Sequence, residues 1–374
     1  MKIGIIGNYG ATNVGDGAIL RAILKSHSTH EFVVFSADPK KTAHDLGVKT
    51  APLFPLGIRS FFKHGFKKSI KALRSVDAVI LGGGGLFQDE YLLACFVWAW
   101  QIFWVKLFNK PYFIYATGVG PLRTWIGRKL TKWVYKNAVG ITVRDPFSYN
   151  ILHRLGLPDD NIEITADPAF LFKSIEQEQA RNPHSYIISL RPWLKYNSKI
   201  ISSFTHYLLK LKEERNAKFI FVCMQSIKEH DHRVIDPVIK KVDGTLLVPK
   251  HFSELLQAMS QAEFAIGMRY HFLIAAMLTQ TPALAISYSH KVDSLYKHSV
   301  LEPYMLSVNE LTNEYLAKKM KRLSVDYNNI KLYQRRRLED FKELAEKNIG
   351  FFDGFIKTLT NEGETAKIPE QNNQ

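Results

Sequence analysis

Gly267-Met-Arg-Tyr-His271, with Lys291 further on in Ser287-Tyr-Ser-His-Lys291, is the stretch on which the fold turns. Two apolar runs, Glu263–Ile266 and Pro282–Ile286, flank a helical segment and read as strands. That alternation puts Arg269 and His271 at the carboxyl end of a strand and the start of a helix. Open α/β sheets bind ligands in the crevice outside that edge. Two or three cations and an imidazole gathered there suit a small, highly charged anion with a proton to move.

Outward from this stretch, short apolar runs alternate with longer amphipathic ones in both halves, the pattern of repeated βα units around parallel sheets. Strands are expected at Lys2–Ile6, Phe32–Phe35, Ala78–Leu81, Tyr112–Tyr115, Gly140–Val143 and Glu163–Thr165. A second series follows at Tyr186–Leu190, Lys218–Cys223, Thr245–Val248, Glu263–Ile266 and Ala283–Ile286. Between the series, 173–184 is polar and without periodicity and reads as a linker. The expectation is therefore an α/β protein of two Rossmann-like doubly wound domains, 1–172 and 185–312, facing across a cleft in the GT-B-like manner. A helical region, 313–361, and a polar tail, 362–374, complete it.

A chain of 374 residues exceeds the size at which one core divides, and 46% apolar content supplies enough material for two. Cys95 and Cys223 both lie in apolar runs, fitting buried thiols in a reducing compartment. The first strand begins at Lys2 and runs straight into a glycine turn, too short an apolar core for a signal peptide, so a cytoplasmic protein is expected. The net charge of +15 is unevenly shared. Residues 1–165 hold 21 Lys and Arg against 11 Asp and Glu, and the remainder 29 against 24. An anionic partner for the first half is implied. No nucleic-acid motif accompanies the charge, so nucleic acid is set aside.

Several further stretches carry a resemblance. Gly7-Asn-Tyr-Gly10, Asn13-Val-Gly15-Asp16, Leu81-Gly82-Gly83-Gly84-Gly85, Gly118-Val-Gly-Pro-Leu122, Arg144-Asp145-Pro146-Phe-Ser148 and Asp167-Pro168 occur in this order ahead of the 267–271 segment. Together they resemble the polysaccharide pyruvyl transferase family over roughly residues 1–300. The resemblance implies an enzyme that moves the enolpyruvyl group of phosphoenolpyruvate onto a saccharide as a pyruvate ketal, in cell-surface or extracellular polysaccharide biosynthesis. It also implies the GT-B-like architecture and places His271 in the donor site. Two other readings stand beside it. One is a GT-B glycosyltransferase using a nucleotide sugar, for which no clear acidic ribose motif follows Gly267. The other is a non-catalytic module that binds glycans or anions.

Each candidate residue has a chemical reading and a plainer one. His271 can deliver a proton near neutral pH; otherwise it is a core or capping histidine. Arg144, at the end of the Gly140–Val143 strand, and Lys291 are expected to hold carboxylate and phosphate. The plainer alternatives are an ion pair with Asp145 on a surface turn and a solvated lysine. Arg269 either touches ligand or braces Asp16 or Asp167, and Arg191, in Ser189-Leu-Arg-Pro-Trp193, either reaches phosphate or is structural. Asn13 and Asp16 offer hydrogen bonds to sugar hydroxyls, with Asp16 a base for the acceptor or simply a helix cap. Family members often carry a second acid after this aspartate; here Gly17 stands instead, which weakens a two-carboxylate role. Gly83 and Gly84, in a run expected to leave its strand and turn, permit close approach of a ligand or of a neighbouring helix. Glu229-His-Asp-His232 lacks the spacing of a metal site and reads as a solvated turn; neither metal nor cofactor is called for.

The first half also carries basic, aromatic stretches at Arg59–Arg74 and Arg123–Lys136, with an aromatic run, Tyr91–Phe108, between them that reads as a buried helix. Lys- and Arg-rich interfacial helices with Phe or Trp opposite sit on anionic lipid. The expected partners are thus phosphoenolpyruvate, a saccharide acceptor that a polyprenyl diphosphate would carry, and an anionic membrane surface at the inner face of the membrane. The alternative for the basic stretches is ordinary core packing with a solvated face.

Overall fold

Runs such as Ile3–Ile6 and Val79–Leu81 are apolar on both faces, which suits strands of a parallel sheet rather than a one-sided antiparallel one. The computed structural model, which describes residues 1–11, 13–56, 65–89, 92–175, 181–225 and 230–365, contains two such sheets. The first has the order β3 (Lys49–Pro52), β2 (Glu31–Ser36), β1 (Lys2–Ile6), β4 (Ala78–Phe87), β5 (Tyr112–Val119), β6 (Gly140–Val143), β7 (Ile162–Ile164). The second has the order β10 (Thr245–Leu247), β9 (Lys218–Val222), β8 (Asn182–Ser189), β11 (Ala262–Gly267), β12 (Ala283–Ser287), β13 (Met305–Ser307). Every strand pair is parallel, and each sheet is doubly wound, with its order reversing beside β1 and beside β8.

The chain divides into two compact units. The first comprises Met1–Asn8, Ile23–Asp167 and Glu343–Gln374, and the second Tyr9–Ala22 and Pro168–Lys342. The loop after β1 and the first turns of the helix Val14–Ser26 therefore group with the second sheet. β8 opens at Asn182, inside the stretch read as a linker.

Two sequence expectations change. The glycines Gly82–Gly85 do not leave their strand: Gly84 pairs with Thr117 and Gly85 with Gly118, and β4 continues to Phe87. Gly83 (φ 63°) and Gly84 (φ 78°) take left-handed backbone angles within the strand, which explains why side chains are missing there. The helix Leu92–Leu107 is not buried all round: Cys95, Ile102 and Val105 enter the core, while Leu93, Phe96, Phe103 and Leu107 are exposed. Of the basic stretch at 59–74, residues 59–64 lie outside the described residues; in the helix Gly65–Arg74, Phe66, Ile70 and Leu73 pack into the core and the lysines face outward.

The last helix, Tyr327–Thr365, contributes its residues from Glu343 onward to the first unit. Asn348 is fully buried and accepts hydrogen bonds from the hydroxyls of Thr142 (2.7 Å) and Thr165 (2.8 Å) while donating to the Ala166 carbonyl (3.0 Å). Nearby, buried His27 hydrogen-bonds the Tyr115 hydroxyl (3.1 Å) and packs edge-on against Phe352. Burial pushes the His27 imidazole down to about 4, against the opposing pull of Asp353. The unfolded chain therefore takes up a proton near pH 6.5 that the folded one refuses until about pH 4. Stability from this site is complete above pH 6.5 and drains away as pH falls toward 4, by at most about 3 kcal/mol. Thermal melting of His27→Asn should lose most of its pH dependence across this window; a slope equal to that of the wild type would count against the assignment.

Candidate functional site

The order of the second sheet reverses between β9 and β11, on either side of β8, so the β8–β11 boundary is its switch point. Ser189 ends β8 directly opposite Gly267 at the end of β11, and Gly267 is opposite Ala285 of β12. Arg191 follows β8, Arg269 follows β11, and Tyr288 and Lys291 follow β12. His271 lies in the first turn of the helix Tyr270–Leu278 and is buried. The sequence thus delivers three cations, a phenol and an imidazole to neighbouring strand ends of one sheet.

Arg269 is held by Asp231, with His230 also within reach of its guanidinium (3.3 Å). Asp231 is fully buried, so the reading of its His-Asp-His stretch as a solvated turn is overturned; Glu229 itself lies outside the described residues. Burial alone would raise the Asp231 carboxyl, but the hydrogen bond from His230 and the Arg269 charge outweigh it and hold it below the usual range. Its other oxygen accepts the backbone N–H groups of Met224 (3.2 Å) and Gln225 (3.1 Å), fixing the loop after β9. That loop in turn pairs with the amino-terminal segment: Asn13 bridges Gln225, and the Val14 amide donates to the Met224 carbonyl (3.4 Å).

Here the second unit receives its Gly15. The Asn13 carboxamide oxygen accepts the Gly15 amide (3.0 Å), so Asn13 caps the helix Val14–Ser26. Asp16 lies buried in its first turn and is not the cap. Gly15 packs directly on His271: a Cβ at this position would lie 2.0 Å from the imidazole Nδ1 and 2.4 Å from its Cγ. No side chain other than hydrogen fits between them.

Arg191 donates to the Tyr288 hydroxyl (2.8 Å) and lies over the rings of Tyr288 (4.5 Å) and Trp193 (5.2 Å). Burial works to raise the Tyr288 phenol, yet the charges of Arg191, Lys291 and Arg269 overcome it and bring it down to about 8. Three separate cations acting on one phenol mark a strongly positive locus. In the same region Arg269 Nε, Ser189 Oγ and Ser289 Oγ are buried without hydrogen-bond partners among the described residues. Leaving such groups unsatisfied costs about 1–3 kcal/mol each, so their gathering at one sheet edge favours a polar, anionic ligand there.

Arg144 belongs to the first unit, where it takes the ion-pair alternative, buried rather than on a surface turn. Its guanidinium lies 3.2 Å from Asp167 and 3.6 Å from Asp145, and it is 5% exposed. Asp145 also caps the helix Pro146–Arg154 through the Ser148 amide (2.7 Å). Gly118 makes room for the guanidinium, since a Cβ there would lie 2.7 Å from Nη2. Gly83 and Gly84 are likewise in the first unit. Among the described residues no group of three or more potential metal ligands occurs.

Sequence reading missed Tyr288, Asp231 and the purpose of Gly15. Tyr288 had a usable signal, since it directly follows β12 just as Arg269 follows β11. Phenolate absorbance should reveal one tyrosine ionising near pH 8, well before Tyr304, which is pushed up to about 12. Tyr288→Phe should abolish that early step; a wild-type titration lacking it would mean the cations do not converge. In the first unit, Arg144→Ala leaves two buried carboxylates without their partner and should cost about 3–5 kcal/mol in chemical denaturation. A loss below about 1 kcal/mol would match only an exposed pair.

Comparison with known proteins sets the chain in a family. The chain is 22% identical to the amylovoran biosynthesis protein AmsJ of Erwinia amylovora, across 93% of this chain and 98% of that one. Among solved structures it is similar to a putative UDP-N-acetylglucosamine 2-epimerase from Listeria monocytogenes (TM-score 0.64, 10% identity, 96% of each chain). It is also similar to Anabaena HepE in complex with UDP-glucose (TM-score 0.62, 10% identity, 96% of this chain and 100% of that one). At such identities the structures share the fold, a GT-B-like pair of parallel α/β sheets. The polysaccharide pyruvyl transferase profile matches residues 13–290, a span from the helix cap Asn13 past His271 to His290, and the chain belongs to that family.

Proposed function

We propose that the protein transfers the pyruvyl group of phosphoenolpyruvate to a saccharide, and that the donor binds at the β8–β11 switch point of the second unit. The observation that carries this reading is the placement of Arg191, Arg269 and Lys291 after the neighbouring strands β8, β11 and β12, with Arg191 on the Tyr288 hydroxyl (2.8 Å), beside buried, unsatisfied polar atoms. Guanidinium groups match carboxylate and phosphate oxygens in pairs, and an ammonium adds a mobile point charge. Arg269, anchored by Asp231, supplies a fixed charge, while Arg191 is oriented by its two aromatic neighbours. Arg144, already shared between two carboxylates, is assigned to the first unit's own framework.

His271 delivers a proton to the methylene carbon of the donor, which makes the adjacent carbon electrophilic. One acceptor hydroxyl adds there and gives up its proton to a base, for which Asp16, one residue from the glycine beneath His271, is the assigned group. The carbon–oxygen bond to phosphate then breaks, and a second hydroxyl of the same sugar closes the ketal. Of the two hydroxyl protons, one replaces that spent on the new methyl group and the other leaves with inorganic phosphate. The acceptor in the fuller form of this proposal is carried on polyprenyl diphosphate.

The test is phosphate release from phosphoenolpyruvate across a panel of free and lipid-linked saccharides, with mass analysis of the products. Saccharide-dependent release with a matching ketal is expected; turnover of a nucleotide sugar instead would overturn the proposal. His271→Asn should abolish turnover while melting like the wild type. Gly15→Ala, which drives a methyl group into the imidazole, should slow turnover roughly 10²-fold with the donor still bound. Lys291→Ala should raise the KM for phosphoenolpyruvate more than it lowers kcat. Wild-type rates in the first two variants would remove His271 from the chemistry.

A further inference from the structure

The first unit carries a surface that the proposed chemistry does not use. On the helix Leu92–Leu107, Leu93, Phe96, Phe103 and Leu107 are 68%, 41%, 42% and 57% exposed. With half-buried Trp100, which stacks on Phe103 (5.4 Å), they recur at alternating spacings of three and four and form a single apolar stripe. The opposite face of the same helix is in the core, against which Trp100 also packs in part.

The neighbouring helices supply a rim of one sign. Trp125–Lys136 exposes Arg128, Lys129, Lys132 and Lys136, and Trp125 at its start is 64% exposed with Lys129 over its ring (4.9 Å). Lys106 lies over Trp133 (5.2 Å), joining this helix to the striped one. On the other flank Arg74, at the end of Gly65–Arg74, lies over Phe108 (5.2 Å), and Phe66 meets Trp104 edge-on (5.0 Å). The three helices together hold nine Lys and Arg and no Asp or Glu.

We propose that this face, with the Leu93–Leu107 stripe at its centre and the Lys/Arg rim around it, docks the first unit on an anionic lipid bilayer. Large apolar side chains enter the headgroup–acyl boundary while surrounding cations meet lipid phosphates. No helix among the described residues is long and apolar enough to cross a membrane, so the contact lies in the interface plane. A nucleic acid would engage the rim but leave the stripe in water. Two copies of the chain meeting through this face would bring like charges together. An anionic bilayer answers both features at once.

Flotation with vesicles of phosphatidylcholine, with and without about a third phosphatidylglycerol, tests the surface without reference to turnover, so its outcome is separate from that of the donor-site proposal. Binding to the anionic vesicles should exceed that to neutral ones roughly tenfold and weaken with salt. Phe96→Glu and Phe103→Glu, both at exposed positions, should each reduce it roughly tenfold without changing the melting temperature, and Lys129→Glu with Lys132→Glu should flatten the salt dependence. Equal binding to neutral vesicles, or none to anionic ones at modest salt, would overturn the proposal. So would a solution dimer that Phe103→Glu dissociates, or RNA binding that persists unchanged in the Phe variants while vesicle binding is absent.

Discussion

The buried carboxylate of Asp231 is the constraint on which the second unit's site depends. It sits without exposure to water and answers four donors: the Arg269 guanidinium, the His230 imidazole and the amides of Met224 and Gln225. Through the first it fixes a cation at the end of β11, and through the amides it shapes the loop after β9. That loop pairs with residues 13 and 14, and so determines where the helix beginning at Val14 starts and where Gly15 lies under His271. Of an imidazole and a guanidinium two residues apart in sequence, the first is thus packed by a segment from the opposite end of the chain and the second is held by Asp231. Removing one partner from such a buried charge pair costs several kcal/mol, which keeps the arrangement rigid.

Positive charge dominates the remainder of the locus. Tyr288 registers it: a phenol that burial alone would raise is instead lowered to about 8 by three cations from three strand ends. In the proposed function, that charge draws the multiply charged donor before any specific contact forms. The aromatic planes of Trp193 and Tyr288 keep the Arg191 guanidinium in one orientation, reducing the freedom lost when it meets a ligand.

Much of this architecture was legible in the residues. β1 and β6 begin and end where the apolar runs do, and Arg269, Arg191 and Lys291 follow strands as read. Short elements escaped: Lys49–Pro52 ends in proline, and Met305–Ser307 is too brief to show alternation. In the sequence the glycine run reads as a turn because glycine usually marks one, whereas in the structure it permits left-handed angles inside a paired strand. Asp231 hid among polar neighbours, since burial of a carboxylate depends on a partner far along the chain. Gly15 could not be understood from its own neighbourhood at all, because the ring that excludes a side chain there comes from the helix beginning at Tyr270.

The interior place of Asn348 and Phe352 has a consequence for biosynthesis. Their seats, built from Thr142, Thr165, His27, Phe113 and Tyr115, are synthesised early, yet they stay empty until residues beyond 342 have left the ribosome. The portion of the protein translated first is therefore the last to be finished. A nascent chain arrested near residue 342 would carry a complete second sheet alongside an incompletely packed first one, and a shortened product of that length would fail from its beginning rather than from its end.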